Sequence, residues 1–340
     1  MGTFRFILRR VFYLLIQLIG VVTVLFFLVR LLPGNPAHAL VGQGANEASI
    51  AAIEAKLGFD KPLPVQYVIY LGNLFRGDLG DSIFTGQTVR ADLIQRFPAT
   101  FELVTIAMAL TILIGIPLGI YVALQTKGLI ANIVSKIVFI YGMLTGAIPD
   151  FWLGLILIFV FFFVLRIVPA PIGRLGTMGV APDRVTGLYI IDSVLTSNWE
   201  AFKVSARHLI LPVATLTLIY MGNIVKMARS TMTEVMQSEF IEYARASGLP
   251  RAVIRSYALR NALAPVVTVV AFNYSFLLGG AVLVETVFAW GGLGEYAVQA
   301  IIQSDYFPIT GFALVTAIFI AILYLSLDLV YAFLDPRIRY

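Results

Sequence analysis

The chain has 340 residues, of which 59% belong to the set AVILMFWYC and only 13% are charged, and its mean hydropathy is +0.91. Soluble domains carry about a quarter charged residues, so this composition excludes an ordinary soluble enzyme; about 200 apolar residues suffice for several bilayer spans of roughly 20 each. The net charge of +5, from 24 basic and 19 acidic residues, lies between apolar runs without the aromatic-interleaved stripe of a single-strand binder, which sets nucleic acid aside, and the lack of cysteine removes disulfides and thiolate chemistry.

In chain order, the first apolar run covers residues 11–32 and is broken by little beyond Gln17, Thr23 and Arg30. A signal-peptide core spans about 7 to 15 residues, so this run reads as a retained transmembrane helix even though Ala37-His38-Ala39 imitates a cleavage site. Behind it, Asn46 can cap a short helix bearing Ile50, Ile53 and Leu57, closed by Gly58 and followed by Pro62 and Pro64. This segment predicts a small structured platform on the outer side. Further apolar runs at residues 101–124, 133–168, 208–227, 263–288 and 309–334 bring the count to six. The third is too long for one upright helix and carries Gly142, Gly146 and Pro149, which predicts a kink or break. Between the third and fourth runs, residues 190–202 can form an interfacial helix.

Basic residues near span ends orient the chain. Arg5, Arg9 and Arg10 precede the first run; with six spans, Lys127 and Lys136, the group Lys226, Arg229, Arg245, Arg251, Arg255 and Arg260, and the terminal Arg337 and Arg339 all fall on the same side. Residues 33–98, on the other side, hold five basic and six acidic residues, and residues 289–308 hold no basic residue. The expected architecture is therefore all-α and polytopic, with six transmembrane helices and both termini cytoplasmic. The two histidines, His38 and His208, are far apart and lack metal-ligand spacing.

The cytoplasmic stretch 228–263 carries the most information. Thr231 and Glu234 fit a capping box, and Phe240, Ala244, Val253 and Tyr257 fall at helical spacing, which predicts two short helices. Gly248 is placed to end the first in a left-handed conformation and Pro250 to open the second. Charged residues beside an apolar face suit a lever that docks into a groove on another protein; they equally suit a helix lying on anionic lipid.

Glu242-Tyr243-Ala244-Arg245-Ala246-Ser247-Gly248 resembles the Glu-Ala-Ala…Gly loop of binding-protein-dependent ABC importer permeases, with Tyr243 in place of the first alanine. Ala258-Leu259-Arg260-Asn261-Ala262-Leu263-Ala264-Pro265 is similar to the version in the dipeptide, oligopeptide and nickel branch. So are Leu31-Leu32-Pro33-Gly34-Asn35-Pro36, Gly77-Asp78-Leu79-Gly80-Asp81-Ser82, Ile148-Pro149-Asp150-Phe151-Trp152-Leu153-Gly154 and Leu334-Asp335-Pro336-Arg337, which resemble that branch's larger, first permease. The resemblance covers nearly the whole chain. It departs at Gly291, where the branch usually has proline, and at Ser304, where arginine commonly precedes Asp-Tyr.

The resemblance implies a type I ABC importer permease fold in a bacterial or archaeal inner membrane. Residues 1–98 would form the first transmembrane helix and an extracytoplasmic segment, residues 99–334 a five-helix core with the coupling loop 228–263, and residues 335–340 a cytoplasmic tail. It further implies a second homologous permease, two ABC ATPase subunits and an extracytoplasmic solute-binding protein as partners, beside membrane lipid. No lysine follows a glycine, so the Gly-x-x-x-x-Gly-Lys phosphate loop is absent; the chain is expected to bind no cofactor or metal and to catalyse nothing, with ATP and Mg held by the partner ATPases. Glu242, Tyr243, Ala244, Arg245, Gly248 and Arg251 are the expected ATPase-coupling residues. Asp150, Asn273, Ser275 and Glu285 are the candidates along the translocation path, because polar groups inside apolar spans serve either function or helix contacts. Short peptides head the expected substrates, with nickel complexes, glutathione and oligosaccharides as alternatives. An ion-coupled carrier would require paired broken helices in two repeated halves, and Asp150 has no counterpart in a second half.

Overall fold

The computed structural model describes residues 2–31, 55, 60–125, 128–177 and 179–334. The expected platform helix behind Asn46, and with it His38, Lys127, Arg337, Arg339 and the tail 335–340, lies outside these residues. The described elements are α1 (Gly2–Leu31), α2 (Leu63–Phe75), α3 (Val89–Leu124), α4 (Leu129–Leu144), α5 (Asp150–Leu157) continued by a π-helical stretch Ile158–Val164, α6 (Tyr189–Leu195), α7 (Trp199–Met236), α8 (Glu239–Ala246), α9 (Arg251–Val287), α10 (Leu293–Ile302) and α11 (Tyr306–Leu334). Among the described residues there is no strand, only an isolated bridge between Asp81 and Thr88.

Among the described residues five stretches are long and apolar enough to cross a bilayer: Leu8–Phe27, Val89–Leu124, Trp199–Met236, Arg251–Val287 and Tyr306–Leu329. The third apolar run is divided. α4 ends at Leu144, residues 145–149 turn, and Pro149 caps α5, so two shorter apolar helices stand where one long run was read. Proline forces this boundary, since it has no N–H for a continuing helix and clashes with the preceding turn. The interfacial helix expected over residues 190–202 is likewise two pieces: α6 stops at Leu195, and Asn198 accepts the Ala201 N–H at 3.0 Å to start α7.

The capping box at Thr231 and Glu234 does not form. Thr231 lies inside α7, where its hydroxyl donates to the Met227 carbonyl at 2.9 Å, and the helix continues to Met236. Met232 is sealed among Ile241, Ala244, Ile254, Ala258 and Ala262, so packing overrides the local cap signal. The buried face is shifted by one residue at three of the four expected positions: Ile241, Ile254 and Ala258 face the core where Phe240, Val253 and Tyr257 were expected, and Ala244 keeps its place. The second short helix is the start of α9, which runs on through Pro265.

The chain forms two compact units. In the unit made of Met1–Ala99 and Gly291–Ile322, Phe26 of α1 packs edge-on against Tyr67 of α2, and Thr23 and Tyr67 share a hydrogen bond of 2.6 Å. Val89, Leu93, Leu293 and Tyr296 form its core. The turn after Gly80 is bound to the start of α11 by one carboxylate: Asp305 accepts from the Ser82 hydroxyl and from the Ile83 and Phe84 amides at 2.9, 2.6 and 3.1 Å. Asp92 accepts from Thr85 and Tyr296 at 2.6 and 2.9 Å. Burial raises the Tyr296 hydroxyl above its usual range, and the Asp92 carboxylate adds to the effect, so it stays a donor. Ahead of α10, Gly291 takes a positive φ of 75° and donates its N–H to Glu295 at 2.7 Å.

In the unit made of Thr100–Trp290 and Leu323–Tyr340, α7 and α9 pack along one another and α5 packs on both. A polar knot on Glu102 of α3 joins Arg174 to residues 185–192. Glu102 accepts from Arg174 at 2.6 Å and from the Ile190 amide at 2.7 Å, and the guanidinium lies 3.4 Å from the centre of the Tyr189 ring. Asp192 accepts from Val185, from the amide and hydroxyl of Thr186, and from Gly187.

Candidate coupling and translocation sites

α8 is an eight-residue helix whose two ends are fixed differently. Ser238 precedes it in extended conformation without a side-chain cap. At its far end the Gly248 N–H donates to the Arg245 carbonyl at 3.0 Å and the Leu249 N–H to the Ala244 carbonyl at 3.2 Å, with φ of +72° at Gly248. These two bonds define a Schellman ending. Pro250 then stands one position before the first residue of α9.

The expected coupling residues divide between two faces. Ala244 is only 6% exposed and, with the fully buried Ile241, packs on this chain's own cluster around Met232, Ile254 and Ala258. The apolar face that sequence spacing assigned to a partner's groove is thus filled from within. Glu242, Tyr243, Arg245 and Arg251 are exposed, Tyr243 to 76%. Arg245 donates to the Met236 carbonyl at 3.0 Å, capping the end of α7. Phe240 and Leu249 are also exposed, so the outer face combines large apolar side chains with charge of both signs. α8 is thus anchored on one side and bare on the other.

The candidates along the path also separate. Asp150 opens α5, and its Oδ1 accepts the Phe151 N–H at 2.9 Å. Its Oδ2 lies over Gly280 of α9: a side-chain carbon added there would sit 2.5 Å from that oxygen and in contact with the Tyr220 hydroxyl of α7. Tyr220 donates to the Phe276 carbonyl at 3.3 Å, and the Asn273 amide donates to the Tyr220 carbonyl at 3.2 Å. Asp150 and Asn273 therefore belong to one three-helix cluster. Ser275 is elsewhere, donating to the Ala271 carbonyl of its own helix at 3.0 Å. Glu285 is fully buried and accepts from Thr100 at 2.5 Å. Tyr220 and Gly280 escaped sequence reading because a tyrosine and a glycine in apolar runs carry no signal of their own. His208 holds the Val204 carbonyl at 2.9 Å and borders a cavity of about 460 Å³ formed with Thr177, Glu200 and neighbouring apolar residues.

Long apolar helices and two shorter ones define a multi-pass membrane protein. Residues 115–340 match the profile of the binding-protein-dependent transport system inner membrane component, and residues 3–104 match the N-terminal profile of the same transport-system membrane components. The chain belongs to this family and is a multi-pass inner-membrane permease subunit of an ABC importer. It is 43% identical to the probable D,D-dipeptide transport system permease protein DdpB of Escherichia coli K12 over 99% of this chain and 98% of the relative. The dipeptide permease DppB of Alkalihalophilus pseudofirmus is 37% identical over 98% of each, and the di/tripeptide permease DppB of Pseudomonas aeruginosa is 38% identical over 98% of each.

Proposed function

We propose that this chain is one of two homologous permease subunits of an ATP-driven importer of di- or oligopeptides, with six membrane spans and both termini in the cytoplasm. The observation that carries the substrate is the full-length similarity to permeases named for dipeptides and di/tripeptides. The sixth span is formed by α4 and α5 together, each too short for an upright crossing of a core about 30 Å thick. Two ATPase subunits hold ATP and Mg, and a solute-binding protein delivers the peptide from outside. The chain itself contributes no hydrolysis.

Glu242, Tyr243 and Arg245 on the exposed face of α8, and Arg251 at the start of α9, meet the ATPase, with Phe240 and Leu249 beside them. Ala244 and Gly248 act indirectly, Ala244 by seating α8 on its own core and Gly248 by fixing the turn into α9. Closure of the ATPases would move α8 as a rigid piece, and its continuity into α9 carries the motion to the pore. The experiment is to tag the chain, extract it gently from its membrane, identify what co-purifies, and measure import of a labelled dipeptide. Two ATPases and a second permease, with uptake, are expected. Recovery of the chain alone, with solute uptake driven by an ion gradient, would overturn the reading.

A further inference from the structure

The Asp150 cluster asks for a cation. Among the described residues Asp150 makes no ion pair and takes no hydrogen bond from another side chain; its partner is the backbone N–H of Phe151. It is half-buried, as are Tyr220 and Gly280, so the group is reachable and not sealed in the packing. A carboxylate inside an apolar span without a fixed counter-charge is retained at a cost and marks a functional position.

Asp150 Oδ2 and the Tyr220 oxygen both crowd onto Gly280, where a side-chain carbon would lie within 2.5 Å of each, so only glycine lets the two oxygens come together at this point. Tyr220 donates its proton to the Phe276 carbonyl at 3.3 Å, which leaves its hydroxyl oxygen lone pairs for accepting. Asn273, bonded to the Tyr220 carbonyl, fixes the backbone from which the phenol projects. Two oxygens and a formal negative charge at one point suit a group with several N–H donors and a positive charge.

We propose that Asp150 and Tyr220 form a transient binding site for the α-ammonium group of the peptide as it passes through this chain. The inference rests on the peptide reading above. The ammonium supplies three donors and the missing charge, and its stay is brief because the site offers only one carboxylate on a half-exposed surface.

The test uses the full transporter, purified with its partners and reconstituted with its binding protein, and compares import of a dipeptide with import of its des-amino analogue. Asp150→Asn should slow dipeptide import about tenfold, the worth of one lost charge interaction, and leave des-amino import within about twofold. Tyr220→Phe should shift the same ratio in the same direction by a smaller factor. Gly280→Ala, whose added carbon would push both oxygens apart, should mimic Asp150→Asn. Equal slowing of both substrates, or no slowing of either, would overturn the site while leaving the peptide reading intact. Wild-type transporter that imports neither compound, yet hydrolyses ATP in response to another solute, would instead overturn the peptide reading.

Discussion

Replacing Gly248 by valine strains one torsion and touches nothing else. The residue has φ of +72°, and a side-chain carbon placed there meets no atom within 4 Å, so size alone is tolerated. The left-handed conformation costs an ordinary residue about 1–2 kcal/mol, more when β-branched, whereas asparagine adopts it readily. Valine should therefore weaken the turn by about 2–3 kcal/mol, enough to lower its population 30-fold or more. The bonds at stake are Gly248 to Arg245 and Leu249 to Ala244, which fix the angle between α8 and α9. Ile241 and Ala244 remain seated in their cluster, so the chain should still insert and survive extraction. Dipeptide import by reconstituted transporter should rank Gly248 and Gly248→Asn together, then Gly248→Ala, then Gly248→Val, with ATPase recovery following the same order. If asparagine proves as damaging as valine, the position is read by a partner through its surface and the torsional argument fails.

Ile241→Ala removes a fully buried side chain from the base of the lever and should cost about 2–5 kcal/mol; thermal unfolding in detergent measures it, and a loss below about 1 kcal/mol would mean α8 is not anchored there. Burial works to raise the Asp192 carboxyl, but the donors from Thr186, Gly187 and Val185 outweigh it and hold the group below the usual carboxylate range. Its contribution should be complete above the unfolded value of about 4 and should fade as pH drops through the lower folded value. Hydrogen exchange at Val185, Thr186 and Gly187, corrected for intrinsic rate, should accelerate there and not between about pH 5 and 7. Asp305→Ala strands the Ser82, Ile83 and Phe84 donors and should cost about 2–4 kcal/mol, whereas Asp305→Asn keeps an acceptor in place and should spare most of it, read as exchange protection at Ile83 and Phe84.

What could be read in the sequence was whatever depends on a residue's own backbone. Gly248 and Pro250 fix the elbow by torsions that no tertiary contact needs to supply, and the turn forms there. Pro149 breaks the third run for the same reason. Misreadings arose where two signals competed. Thr231 and Glu234 have the spacing of a cap, but Met232 buries better if α7 continues, and several apolar contacts outweigh one capping bond. Periodicity found α8 yet chose Phe240 over Ile241, because both are apolar and only the neighbouring helix decides which faces inward. The clusters that gather distant residues left no local trace: Ser82 meets Asp305 across 223 positions, and Tyr220 meets Phe276 across 56.

Gly291 binds two positions into a single heritable choice. A proline there would lack the N–H that Glu295 accepts and could not reach a φ of 75°, so a chain bearing proline must begin α10 by another route. Gly291 and Glu295 work as a unit: neither a proline at position 291 nor a non-acceptor at position 295 can be introduced singly without loss. Chimeras between this permease and its relatives should accordingly be joined outside residues 291–295, so that the turn and its cap travel as one cassette.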